Sequence, residues 1–279
     1  MIMISRTING TALGLALAAL TGGLYPASAA VGAWADGAKA SARLIAEGVN
    51  QNGNLAAGIE IILPPGWKTY WRSPGDSGIP PVIDFSASAN VGEAHVYFPT
   101  PHRFDDGYSI TNVYEDRVVL PVTLPVIDRQ SSVELVVTMN LGVCEIVCVP
   151  DTVDMVLEVP PTGHDSHAAG VLAEARKSLP QSPEPGVFSV LGVARDGGTD
   201  KRPVFNVKTL VPEAGAEMFI DGPEGWYPNV PKLASESGSE ALYQVKFSRL
   251  GAKTPIEGAQ FVIVVVSGDR AIEQVVGLD

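Results

Sequence analysis

The sequence predicts an all-β protein made of two β-sandwich domains, and three observations predict it. Short runs rich in Val, Ile, Thr and aromatic residues recur along the whole chain. Gly, Pro, Asn and Asp interrupt them about every ten residues, the spacing of antiparallel sandwiches. No strand-helix alternation is visible, which removes an α/β reading.

In order, the strand-like runs of the first half are NLAAGIEIIL, EAHVYFP, RVVLPVTLPVI, SVELVVTMNLGV and TVDMVLEV. Those of the second half are GVFSVLGVA, VFNVKTLV, AEMFIDG, ALYQVKFSRL, QFVIVVVSG and AIEQVVGL. Between them, His167 to Leu179 has the composition of one helix, followed by a Pro-rich stretch from Pro180 to Gly186. The expected domains are therefore residues 31–161 and 186–279, joined by a linker over 162–185.

Residues 1–30 hold Arg6, the apolar run TALGLALAAL and a small-residue stretch at Ala27 to Ala30, the layout of a cleavable secretory signal. No later stretch reaches the roughly 20 apolar residues of a spanning helix, so no transmembrane segment is expected after signal removal. The formal charge of −12 becomes −13 once Arg6 leaves with the signal. So acidic a chain lacks the basic footprint of a phosphate-binding surface, and no nucleic acid partner is expected. Phosphate-loop, nucleophile-elbow and zinc-hydrolase motifs are missing as well.

The only two cysteines, Cys144 and Cys148, lie in LGVCEIVCVP. An exported chain permits them to bond. On one straight strand their Cα atoms would sit about 13 Å apart, beyond the roughly 4.4–6.8 Å that a disulfide accepts. The flanks instead suggest a hairpin, with Val133 to Val143 as one arm and Cys148 to Val159 as the other, so that the cysteines face each other across its neck. Closing a loop of about five residues contributes only about 2 kcal/mol in the chain-entropy model, which makes the pair a poorly placed staple. Ile146 and Val147 put apolar surface at the tip, where turn chemistry favours Gly or Asn. A structural disulfide, a redox pair and a metal clip all remain open on this reading.

Three stretches resemble the amino-terminal periplasmic domain of the thiol:disulfide interchange protein DsbD family, and more closely its copper-stress branch, ScsB. They are GWKTYWRSPGDSGIPPVIDF, FPTPHRFDDGYSITNVYEDRVVLPV and the cysteine turn itself. EMFIDGPEGW is similar to a segment of the second β-domain in the ScsB branch. The resemblance implies immunoglobulin-like sandwiches, a periplasmic location and a Cys144/Cys148 pair that cycles between dithiol and disulfide without a bound cofactor. Cys148 would form the mixed disulfide and Cys144 would resolve it. The implied partners are a thioredoxin-like reductant or membrane electron transporter on one side and oxidised periplasmic thiol proteins on the other. Larger family members carry a transporter and a thioredoxin-like domain; neither follows in this sequence, so the reductant is expected to be another protein.

The same resemblance makes the loop PHRFDDGYSI a cap over the cysteines, with Phe104 as shield and Asp105 and Asp106 as polar neighbours. The plainer reading is a solvated acidic turn whose Phe packs into the core. Tyr70 and Trp71 match aromatic positions near the active turn, although strand aromatics are usually core. Arg72 is expected to hold Asp76 or Asp84. Glu145, beside Cys144, would disfavour a thiolate there. His95, His102, His164 and His167 read as isolated surface histidines, while copper(I) on the two reduced thiolates is the third alternative, after a noncatalytic module with a static bond. The second domain, without cysteine, reads as a spacer or docking surface.

Overall fold

The computed structural model describes residues 31–278; the expected signal at 1–30 lies outside them. The first half contributes β1 (Ala35–Asp36), β2 (Ser41–Val49), β3 (Asn54–Ile62), β4 (Lys68–Gly75), β5 (Val82–Asp84) and β6 (His95–Val96). It continues with β7 (His102–Asp105), β8 (Ile110–Glu115), β9 (Arg117–Pro125), β10 (Val133–Cys144) and β11 (Cys148–Val159). A single helix among the described residues, α1 (Ser166–Lys177), precedes β12 (Ser189–Thr199), β13 (Arg202–Leu210), β14 (Glu217–Asp221) and β15 (Trp226–Pro228). The chain closes with β16 (Lys232–Ser237), β17 (Glu240–Arg249), β18 (Gln260–Ser267) and β19 (Arg270–Gly277). The protein is all-β in class, and no described helix is long and apolar enough to cross a membrane.

Two sheets form from the first half, in the orders β1-β2-β3-β9-β6 and β11-β10-β4-β8-β7, with β5 added beside β10. Two more form from the second, β12-β13-β17-β15 with β16 beside β17, and β14-β18-β19. Alternation decides which faces meet. In β11 the buried positions are Asp151, Val153, Met155, Leu157 and Val159, every second residue, and the four apolar ones join Leu44, Leu55, Ile59, Leu120 and Leu135 in one core. Phe205, Phe247 and Phe261 stack edge to face in the core of the second half.

α1 begins at Asp165, whose carboxylate accepts the Ala168 N–H at 2.8 Å. Its apolar stripe, Ala168 and Leu172, packs on Ile45 and Val119 of the first half. The residues that follow do not hang free. Gln181 accepts from the Glu273 N–H and donates to Ala271 O, binding the connecting stretch to β19.

The two halves also share packing. Phe219 of β14 and Val264 of β18 belong to the first hydrophobic cluster, where the Phe219 ring lies edge-on to Trp71 at 6.0 Å. Several strands were hidden from periodicity, notably β2, β4, β7 and β8, because charged residues and turn formers break their alternation.

Candidate functional site

β10 and β11 are the twelve-residue arms of one antiparallel hairpin, in continuous register from Val133↔Val159 to Cys144↔Cys148. The cysteines are opposed at its neck and bonded to each other. Their environments differ sharply. Cys144 is 2% exposed, whereas Cys148 is exposed at the rim. Beyond them Ile146 and Val147 stand 94% and 70% exposed, an apolar tip that no other described residue covers.

β4 lies on the other side of β10, and the register Cys144↔Lys68 sets one face of the sheet above the bond. Cross-strand partners share a face, and so do residues two apart. That face carries Lys68 and Tyr70 from β4, Val113 from β8 through Tyr70↔Val113, and Phe104 from β7. Tyr70, Val113 and Cys144 form a small buried cluster with Phe104 against it.

The Tyr70 hydroxyl is 2.7 Å from the Cys144 Sγ and 3.0 Å from the Cys148 Sγ. A disulfide sulfur carries no proton, so the hydroxyl donates. Burial pushes its pKa up, with the Asp106 charge adding to the rise, and the phenol therefore keeps that proton. Two glycines give the ring its place: a Cβ on Gly78, which also has φ +112, would stand 2.4 Å from Tyr70 Cε1, and one on Gly142 would meet Tyr70 Cδ2 at 3.2 Å. Thr69 Oγ1, donating to Gly142 O at 2.9 Å, ties β4 to the cysteine arm from the opposite face.

The loop read as a cap is a hairpin, β7 to β8. Phe104 packs its ring on the Tyr70–Cys144 cluster, and Lys68 Nζ sits 3.8 Å from that ring's centroid while donating to Glu145 O at 3.2 Å. Asp105 and Asp106 face their own turn rather than the sulfurs, accepting the N–H groups of Gly107 and of Tyr108 and Ser109 respectively. The Ser109 and Tyr108 N–H groups hold the Asp106 carboxyl below its ordinary range, helped by Lys68.

Trp71 points the other way. It is fully buried in the main core, since adjacent strand residues occupy opposite faces. Arg72 is a correction: it holds neither Asp76 nor Asp84 but reaches the second half, to Glu273 at 2.5 Å and Asp221 at 3.8 Å. Asp76 instead accepts from Asn229 and from the Val230 N–H, and Asp84 accepts from the Ser86 N–H. Arg103, next to Phe104, donates to Met218 O and lies over the Phe219 ring at 4.6 Å. The second half thus grips both β4 and β7, the strands that carry Tyr70 and Phe104.

His102 pairs with Glu115, His164 lies 3.9 Å from Glu47, and His95 stacks on Tyr97. His167 lines a cleft beside α1. Among the described residues no three His, Cys, Asp or Glu side chains converge as metal ligands. Lys68, Gly78 and Gly142 were missed in the sequence. The i, i+2 spacing of Lys68 and Tyr70 would have flagged the lysine, had GWKTYW been read as a strand.

The matching family model is described as Thiol:disulfide interchange protein DsbD, N-terminal, and it spans residues 39–160. Residues 39–160 are DsbD-like. The site described above lies wholly within that DsbD-like segment. The crystal structure of the N-terminal periplasmic domain of ScsB from Proteus mirabilis is similar in fold, with a TM-score of 0.69 at 22% identity over 90% of this chain and 99% of that one. The similarity therefore runs through the second half as well. No curated protein matches the chain.

Proposed function

We propose that this protein is a periplasmic thiol-disulfide exchange protein that relays two electrons through Cys144 and Cys148, from a thioredoxin-like donor or membrane transporter to oxidised periplasmic thiol proteins. The exposure difference between the two cysteines carries the reading. An incoming thiolate can reach Cys148 Sγ but not Cys144 Sγ, so its electron pair forms the new bond to Cys148 and the old S–S pair leaves on Cys144. A second donor thiol then attacks the mixed disulfide, releasing the protein's dithiol and an oxidised donor. In the forward transfer Cys148 attacks the client and Cys144 resolves the intermediate.

The apolar tip at Ile146 and Val147 supplies contact area beside the reacting sulfur. Phe104 acts as the cap that a docked partner displaces. Residues 31–161 and 186–279 are read as two immunoglobulin-like domains joined by 162–185 and preceded by a cleaved signal.

Equilibration with glutathione mixtures tests the reading. A pair that titrates at a potential less negative than about −300 mV supports exchange, while one that stays bonded under far more reducing conditions is a structural staple. Reaction with a reduced thioredoxin-type protein supplies the kinetic half of the test, and an inert bond there rules the relay out.

A further inference from the structure

Lys68 is 7% exposed, yet no carboxylate lies within ion-pair distance of it among the described residues. Its cross-strand neighbour on β8, Glu115, binds His102 instead. The ammonium rests on a carbonyl, Glu145 O, and on the Phe104 ring. Asp106 feels the lysine's charge but spends its oxygens on its own turn's N–H groups, and a buried charge is costly unless it is closely paired and hydrogen-bonded. The register sets a partner beside it: Cys144 is the residue directly opposite Lys68 on β10.

We propose that Lys68 is the counter-charge for the thiolate released on Cys144 when the Cys144–Cys148 bond is reduced. In the bonded state both sulfurs are neutral and the lysine holds Phe104 over them. When an external thiolate bonds to Cys148 Sγ, the S–S bond breaks, its electron pair stays on Cys144 Sγ, and one negative charge appears on the face occupied by Lys68 and the Tyr70 hydroxyl. Glu145, Asp106 and Glu115 are the acidic groups around that face and oppose the charge; Lys68 is the cation that the register sets directly opposite Cys144. The inference rests on the exchange reading for its purpose, but any chemical reductant generates the state in which it is tested.

The experiment uses the full chain with Cys148→Ser, leaving Cys144 as the single thiol, and follows ultraviolet thiolate absorbance against pH. Lys68→Met is expected to move the midpoint upward, cutting the thiolate fraction below the midpoint about tenfold or more, the usual effect of an opposite charge nearby. Lys68→Arg is expected to restore it. Melting curves check folding, and Lys68→Gln carries the same comparison if the Met variant does not fold. An unchanged midpoint in the charge-removed variant overturns the proposal. So does a variant with both cysteines that reacts faster with small thiols at an unchanged midpoint, because the lysine then only anchors the cap. A shifted midpoint in a protein inert to thioredoxin-type donors would retain the counter-charge and remove the relay.

Discussion

Tyr70→Phe removes one oxygen from the site while leaving the ring between Gly78 and Gly142 in place. In the bonded state that hydroxyl donates a hydrogen bond toward two neutral sulfurs, a weak interaction. Once Cys144 carries the departing electron pair, the same contact becomes a charge-assisted hydrogen bond, worth about 1.5–3 kcal/mol. The difference between the two states is what the variant loses. At the lower end of that range the reduced form is about tenfold less favoured, which moves the potential about 30 mV more negative. The rate of bond opening falls by a similar factor of about ten, because the leaving sulfur is stabilised less. Glutathione titration reads the potential and stopped-flow reduction by a thioredoxin-type donor reads the rate, each followed as a function of pH. A variant with unchanged potential and rate would refute the assignment of the hydroxyl as donor to the leaving sulfur.

Phe104→Ala uncovers the buried sulfur, so the reduced protein is expected to react severalfold faster with a small disulfide reagent; an unchanged rate removes the cap from the account. Arg103→Met cuts the link between β7 and Met218 O, and is expected to raise the same rate in the same direction while leaving the β10–β11 hairpin intact, as amide exchange would report. Asp151 receives the N–H groups of Ala38, Lys39 and Ala40 at 2.6–2.8 Å just beyond Cys148. Burial alone would raise its carboxyl, but these donors hold it below the ordinary range, as Arg117 and Arg43 do for buried Glu60. Folded values below the unfolded ones mean stability that is present above the unfolded pKa and lost as pH falls through the folded one. Asp151→Asn is expected to lower stability at neutral pH by about 1–2 kcal/mol and to flatten the acid limb of Tm against pH, with no flattening counting against the buried-anchor reading.

The all-β class was legible from alternation because the first and second halves both bury every second residue along their longer strands, as β11 and β13 do. The hairpin neck was legible too, since the bonding limit on Cα separation excludes one straight strand through both cysteines and the alternating flanks on either side supply the two arms. Both are matters of local chain geometry. What surrounds the sulfurs is not local. Tyr70, Phe104, Val113 and Cys144 come from four strands, and only the order β10-β4-β8-β7 with its register brings them to one face. A one-residue slip in β4 would have sent Tyr70 into the core and Trp71 to the bond. Arg72 and Arg103 meet Glu273 and Met218, 201 and 115 residues onward, by the same rule: a charged side chain meets whatever the packing of distant sheets places beside it, and no spacing along the chain records that.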